Sequence, residues 1–172
     1  QSTLLIKGDV IWLFHLADKV LHGGKYVQDF FEINPPLSIY IYMPAVFINK
    51  LFFLSPIHSI QLYIFCLAFF SFYLCYIQIN KIFPSEQATG RLIFLALILI
   101  VYLVLPMSEF GQRENILVIL TLPYFISMAC RLQDKLLSPQ LLVMLGALAG
   151  IGFAIKPFYI FSLLFVESYY LF

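Results

Sequence analysis

The chain has 172 residues, of which 62% are hydrophobic and 11% are charged, and its mean hydropathy is +0.95. A soluble domain carries about 25% charged residues, so a chain this apolar cannot cover a water-facing surface and falls in the membrane class. The net charge of +1 excludes an electrostatic basis for binding nucleic acid.

The first predicted element is an amphipathic helix at residues 9–22. Its apolar residues follow the i, i+3, i+4, i+7 spacing of one helix face, which favours a helix lying on the membrane surface. Asp9 stands where an N-cap is expected, and a Gly-Gly pair ends the helix. His15, Asp18 and His22 share the opposite face; their spacing permits a metal site, but a solvated face is the favoured interpretation.

A second segment, residues 37–54, opens directly after Pro35 and Pro36. Pro44, Asn49 and Lys50 interrupt its apolar run, so a second surface helix is the favoured interpretation. A helix that spans the membrane is the alternative for this segment.

Five apolar stretches follow that approach the length of about 20 residues needed to cross a bilayer. Short loops separate them, so neighbouring helices should pack antiparallel. The sequence therefore predicts an all-α, polytopic transmembrane helix bundle at residues 56–172, preceded at residues 1–55 by a long loop with two interfacial amphipathic helices. Because the chain begins at Gln1 and ends inside an apolar run, we expect it to be incomplete at both ends, with one helix missing before Gln1 and several after Phe172. The predicted spans are residues 57–79, 92–107, 116–130, 141–155 and 158–172.

Charged side chains at membrane depth are costly and mark functional cavities, so their positions need an explanation. The predicted topology gathers three groups on one side of the membrane. Local ion pairing in a solvated turn remains an alternative for the middle group, and snorkelling to the headgroups remains one for the lysine. The residues are Asp9, Asp29 and Glu32 in the long loop, Glu109, Arg113 and Glu114 in "SEFGQREN", and Lys156 in "GFAIKPFYIF".

The order of these features carries a resemblance. An acid before an amphipathic helix is followed by "GGKYVQDFFEINPPL", an apolar hairpin, a short loop with acids, and "AGIGFAIKP". This order resembles the N-terminal part of the GT-C membrane glycosyltransferases, and within them the protein O-mannosyltransferase-like and lipid A aminoarabinose transferase-like enzymes. The resemblance covers residues 7–165.

The resemblance implies roles for particular residues. Asp9 matches the first acid of an Asp-Glu pair at the start of the family's long extracytoplasmic loop, whereas Val10 stands where the family has Glu. Glu114, or alternatively Glu109, matches a second acid in the next external loop, and Glu114 is preferred because it is nearer the following helix. Lys156 matches the lysine that ends a Gly-rich helix.

The family transfers a sugar from a polyprenyl-phosphate donor to an acceptor hydroxyl. The implied partners are that donor, a lipid, glycan or protein acceptor, and the membrane lipids. Asp9 is the expected base, and it alternatively helps to hold a divalent metal ion; no organic cofactor is implied. Arg113 and Lys156 are expected to bind the phosphate, and Asp29 and Glu32 to position acceptor or sugar.

Family topology also implies an orientation. The face that carries Asp9 and the other acidic residues would be the periplasmic face of a bacterial inner membrane. The enzyme would therefore act in the cell envelope. The aromatic segment around Tyr40 and Tyr42 would border a groove for the lipid tail.

Two other classes of function stay open. A non-catalytic membrane protein, either a transporter or an assembly subunit, would also concentrate charge among apolar helices, although transporters usually contain internal repeats and this sequence has none. An inactive fragment of a transferase is the third possibility, and the Val10 departure keeps it open.

Overall fold

The computed structural model describes residues 6–171, without the side chains of Ser85, Tyr170 and Leu171. Within this range the chain is all-helical and forms no strand, apart from one isolated bridge between Tyr26 and Phe30. This confirms the all-α class. The α-helices are α1 (Gly8–Leu21), α2 (Leu37–Tyr40), α3 (Met43–Phe52), α4 (Pro56–Ile82), α5 (Ala88–Leu99), α6 (Arg113–Leu132), α7 (Pro139–Ile155) and α8 (Ile160–Leu171).

The chain folds into two compact units. The first unit holds the segment that ends at Cys66, together with Pro106–Ile116. The second unit holds Leu67–Leu105 and the segment that begins at Leu117. Helices α1, α2 and α3 therefore belong to the first unit, and α5, α7 and α8 belong to the second.

Helix α1 ends as the sequence predicts. The Gly23 N–H donates to the Val20 carbonyl at 3.0 Å and the Gly24 N–H donates to the Lys19 carbonyl at 2.9 Å. Gly23 has a φ of +86°, which an L side chain rarely adopts. These two hydrogen bonds form a Schellman motif, the glycine-dependent stop that satisfies the last carbonyls of a helix.

The start of α1 corrects the sequence analysis. Lys7 is the N-cap, and its carbonyl accepts from the N–H of Val10 at 3.1 Å, so the prediction that Asp9 caps the helix is wrong. Gly8 already has helical geometry, and Asp9 therefore lies inside the first turn. A carboxylate there is still favoured, because the partial positive charge of a helix N-terminus extends over the first turn.

The apolar stripe of α1 is used for packing inside the first unit. Its residues Val10, Leu13, Phe14, Leu16 and Ala17 are buried, and the helix contacts α2 and α3. The stripe that predicts an amphipathic helix thus faces protein. Its placement on a membrane surface stays a prediction.

The second predicted helix is divided in two. Helix α2 opens after Pro36, as expected, but it ends at Tyr40, and α3 starts at Met43. Pro44 lies in the first turn of α3, where its missing N–H costs no hydrogen bond; inside a continuous helix it would remove one. The proline therefore sets the boundary between the two helices and leaves Tyr42 at the junction.

Two helices of the described chain are long and apolar enough to cross a membrane. They are α4, with 27 residues and a mean hydropathy of 1.9, and α6, with 20 residues and a mean hydropathy of 1.6. The other three predicted spans appear as shorter helices; α5 continues as a π-helix to Val104, and α7 has 17 residues. The five-span bundle stays a prediction.

The second unit is held by apolar packing and short polar side chains. Gly152 of α7 lies so close to α6 that an added Cβ would be 2.7 Å from the Thr121 methyl. The Ser71 and Tyr102 hydroxyls share a hydrogen bond of 2.7 Å, and Thr121 Oγ1 donates to the Leu117 carbonyl at 2.9 Å. Hydroxyls that bond to each other or to helix carbonyls leave few unsatisfied polar groups in an apolar interior.

Candidate functional site

The candidate site lies in the first unit, at the turn that leads into α6. Gly111 forms this turn with a φ of +77°, and its N–H donates to Asn115 Oδ1 at 3.1 Å. A Cβ at Gly111 would lie 3.3 Å from Ile60 Cγ2 and 3.6 Å from Ile64 Cγ1. Backbone geometry and close packing both favour glycine here, so the turn has a fixed path into Arg113 and Glu114, the first two residues of α6.

Tyr42 also stabilises this turn, through a hydrogen bond to its backbone. The Tyr42 side chain is fully buried, and its hydroxyl donates to the Gly111 carbonyl at 2.8 Å. Tyr42 stands at the α2–α3 junction, so the break caused by Pro44 supplies the residue that holds the turn. A buried carbonyl that lost this donor would keep the full cost of its desolvation.

Charged side chains from two segments, α1 and the start of α6, act on the Tyr42 phenol. Burial raises the pKa of Tyr42, the Arg113 guanidinium opposes that rise, and the carboxylates of Glu114 and Asp9 add to it. Tyr42 lies outside the two candidate spans. The structure therefore brings Asp9, Arg113 and Glu114 into electrostatic range of one phenol, although Asp9 is more than a hundred positions away from the other two.

Glu32 belongs to the same neighbourhood. Its Oε2 accepts from the indole Nε1 of Trp12 at 3.0 Å, and its Oε1 accepts from the Asn34 N–H at 3.1 Å. Burial alone would raise the pKa of Glu32, but these hydrogen bonds and the Arg113 guanidinium hold it below its ordinary value. Glu32 is therefore ionised at neutral pH and lies in range of the same cation as Tyr42.

Glu109 has a different role. Its carboxylate forms an ion pair with Lys7, the N-cap residue of α1. This pair ties the start of α1 to the 3₁₀ turn Met107–Glu109. Glu109 therefore has Lys7 as its ionic partner, and the choice of Glu114 as the second acid stays a prediction.

Two of the predicted site residues lie elsewhere. Asp29 is exposed and closes a local turn, in which its Oδ2 accepts from the Lys25 N–H at 2.7 Å. Lys156 belongs to the second unit, where it follows α7 as its C-cap and lies 5.8 Å from the centre of the Phe158 ring. Its proposed role with phosphate stays a prediction.

The second unit contains an ionic cluster that the sequence analysis did not single out. Arg131 Nη2 donates to Glu167 Oε1 at 2.8 Å, and the Tyr124 hydroxyl donates to the same oxygen. Both charged side chains are about two-thirds buried. Tyr124 also lines an apolar cavity of 360 Å³ beside Gly146, Gly150 and Phe153.

A divalent metal ion finds no ready set of ligands. Across residues 6–171, no three His, Cys, Asp or Glu side chains come together in a group that could hold one. This includes the His15, Asp18 and His22 face of α1, where Lys50 Nζ forms an ion pair with Asp18 Oδ1 at 2.9 Å.

Trp12 and Asn115 are the residues of this neighbourhood that the sequence analysis missed, and Tyr42 was assigned only to a lipid groove. Trp12 gave a usable signal, because it is the single tryptophan and stands at i+3 from Asp9 on the same helix face. The Tyr42–Gly111 hydrogen bond joins residues 69 positions apart, so no local sequence pattern predicts it.

Comparison with known proteins adds no relative. No family model, curated protein or solved structure matches this chain. The site geometry and the order of sequence features are therefore what bear on function.

Proposed function

We propose that this chain is part of a multi-pass membrane glycosyltransferase that transfers a sugar from a polyprenyl-phosphate donor to an acceptor hydroxyl. One observation carries the proposal: the buried Tyr42 hydroxyl holds the Gly111 turn that leads into Arg113 and Glu114, and Val10, the neighbour of Asp9 in α1, packs against the same turn. Such a transfer requires a base for the proton of the acceptor hydroxyl and a cation for the leaving phosphate. Two candidate membrane spans and the resemblance to GT-C enzymes support the same proposal.

The proposed chemistry assigns a role to each group. Asp9 takes the proton of the acceptor hydroxyl as its oxygen bonds to the anomeric carbon of the sugar. The bond from that carbon to the phosphate oxygen breaks, and the polyprenyl phosphate leaves with the electron pair. Arg113 binds the leaving phosphate, on which charge develops, while Glu114 fixes the guanidinium and the acceptor beside it.

The proposal includes a location. The apolar stretches after residue 55 would cross the membrane as a bundle, and the Asp9 side would face the periplasm of a bacterial inner membrane. Exposed aromatic residues of α3 and the following turn favour contact of the first unit with lipid: Phe47, Phe52 and Phe53.

A transfer assay on the full-length protein in nanodiscs tests the proposal. Polyprenyl-phosphate mannose and polyprenyl-phosphate aminoarabinose, each with a radiolabelled sugar, are the donors that the resemblance implies. Asp9→Asn keeps the shape of the side chain but removes the base, so turnover should fall by about 100-fold or more. Asp134→Asn is the matched control, because Asp134 is exposed with a φ of 54°, a conformation that Asn tolerates, and it should keep normal turnover. Near-normal turnover by Asp9→Asn would remove Asp9 from the chemistry.

A transporter is the second candidate, and the Arg131–Glu167–Tyr124 cluster favours it. Ionisable groups among apolar helices often line a pathway for ions or substrates. If the protein is a transporter, Glu167→Gln should abolish uptake of the transported ion or substrate into liposomes that contain the protein. Asp9→Asn should leave this uptake unchanged. In the transferase, Asp9→Asn is the damaging change.

A further inference from the structure

Trp12 is an aromatic platform beside the candidate site. It lies one turn along α1 from Asp9, and its side chain is 49% exposed although α1 buries its apolar face. The exposed part of an indole in this position is available to a ligand. Because Trp12 and Asp9 are related as i and i+3, a molecule that contacts the ring is within a helical turn of the proposed base.

Glu32 holds the ring in a fixed orientation. The indole N–H donates to Glu32 Oε2 at 3.0 Å, while the other carboxylate oxygen is held by Asn34. The Tyr26 hydroxyl donates to the Glu32 backbone carbonyl, so the loop that carries the carboxylate is itself anchored. A carboxylate has about four acceptor positions, and this arrangement leaves some of them for a ligand donor.

Insertion of Trp12 into a bilayer does not fit this arrangement. In an interfacial belt the indole N–H points to water or headgroups, whereas here it is used by a carboxylate of the protein. Sinking the ring into lipid would also carry the ionised Glu32 toward the hydrocarbon, which is costly. The pairing instead suits a ligand with one apolar face and a rim of hydroxyl donors.

We propose that Trp12 and Glu32 form a saccharide-binding subsite, in which the C–H face of a sugar ring stacks on the indole and its hydroxyls donate to the Glu32 carboxylate. This inference rests on the proposed function, since it names the residues that seat one sugar of that reaction. The sugar comes either from the lipid-linked donor or from a glycan acceptor, and both present the same chemistry to the ring. Arg113, the residue proposed to bind the phosphate, is near enough to Glu32 to help lower the pKa of its carboxyl.

Binding can be measured without turnover. The full-length protein in nanodiscs is titrated with methyl α-mannoside and with methyl β-arabinoside, with glycerol as a polyol that lacks a ring. The signal of Trp12 is the difference in tryptophan fluorescence between the wild type and Trp12→Phe. Saturation-transfer NMR on the same samples measures saccharide binding for variants that lack the indole.

The expected result is a ring-specific loss. At least one saccharide should shift the Trp12 emission, and glycerol should not. Trp12→Ala should weaken binding by about tenfold or more, Trp12→Phe by less because a flat ring remains, and Glu32→Gln should weaken binding while keeping the fold. Phe47→Ala is the matched control, because Phe47 is an aromatic residue of the same unit that is 59% exposed, and it should bind as the wild type does.

Two results would overturn the proposed saccharide subsite. If no saccharide moves the Trp12 emission and lipids with brominated acyl chains quench it strongly, Trp12 is a membrane anchor and the proposal is overturned. Equal binding by wild type and Trp12→Phe, Trp12→Ala and Glu32→Gln also overturns it. Trp12→Phe keeps the test valid if Trp12→Ala does not fold.

The donor and acceptor sources are separated by competition. Polyprenyl-phosphate mannose that displaces methyl α-mannoside assigns the subsite to the donor sugar, and displacement by a free oligosaccharide alone assigns it to the acceptor. Failure of the subsite and failure of the proposed function remain distinguishable. Saccharide binding together with full turnover by Asp9→Asn would keep the subsite and reject the mechanism. Absence of saccharide binding together with loss of turnover in Asp9→Asn would reject the subsite alone.

Discussion

The two units of this protein use their polar side chains in different ways. In the first unit, buried polar groups hold one irregular turn: Tyr42 donates to the Gly111 carbonyl and Asn115 accepts from the Gly111 N–H. In the second unit, polar side chains mainly satisfy regular helices, as Thr121 and Gln78 do by donating to the carbonyls four residues earlier. The difference indicates that the first unit is the one in which side chains must be held in fixed positions. The first unit presents charged groups in a defined arrangement, while the second packs apolar helices against one another.

Each unit has its own reporter, which makes the comparison measurable. Trp12 belongs to the first unit, and the buried thiols Cys75 and Cys130 belong to the second. With the exposed Cys66 replaced by Ser, a thiol-reactive dye reports the opening of the second unit. With the protein in mixed micelles, tryptophan fluorescence thus follows the free energy of unfolding of the first unit, and dye labelling follows that of the second.

Gly111→Ala should give the largest loss of stability. The positive φ costs an alanine about 1–2 kcal/mol, and the contact with Ile60 adds to it, for a total of about 3 kcal/mol. The Trp12 transition in denaturant should move by this amount. Gly8→Ala is the control, since Gly8 has no neighbour within 4 Å of a built Cβ, and equal effects of the two changes would contradict the account of the turn.

Gly152→Ala probes the packing of the second unit and should cost about 2 kcal/mol. Its Cβ would lie 2.7 Å from the Thr121 methyl and 3.3 Å from Leu120 Cβ, so the helices must separate. Gly150→Ala, on the same helix with no atom within 4 Å, should stabilise by about 0.5–1 kcal/mol because alanine favours a helix. Dye labelling of the thiols measures both; the same sign for both would reject the packing argument.

Tyr42→Phe should destabilise the first unit by about 1.5 kcal/mol, because it leaves the Gly111 carbonyl buried without this donor. Tyr40→Phe, which removes a hydroxyl from a half-exposed ring two residues away, should be neutral within about 0.5 kcal/mol. If Tyr42 positions the turn for catalysis, turnover should fall with little change in KM for the donor. An unchanged turnover would leave Tyr42 with a structural role alone.

Acidification should produce the smallest effect. The folded-state pKa of Glu32 is lowered from its ordinary value of 4.5, so its contribution to stability is present above pH 4.5 and is lost as the pH falls through the lowered pKa. The Trp12 emission should change over this range, since the indole loses an ionised partner. Glu32→Gln should abolish the transition, and a transition that persists in this variant would come from another group.

The helices were largely predictable from the sequence. Runs of apolar residues located α4, α6 and α7, and glycine and proline marked the end of α1 and the start of α2. These features are local, because spacing and backbone restriction act within a few residues. Even so, the N-cap of α1 is Lys7, two residues earlier than expected, and Asp9 lies inside the first turn.

The site was predictable as a set of residue types but not as a set of contacts. The sequence singled out Asp9, Glu32, Arg113 and Glu114 because charge in an apolar chain is costly and needs a reason. Which of these would meet depended on the burial of Tyr42 at a helix junction and on the turn at Gly111. Sequence periodicity records which face of a helix is apolar, but a contact such as Trp12–Glu32 is decided by how separate segments pack, and only the tertiary structure contains that information.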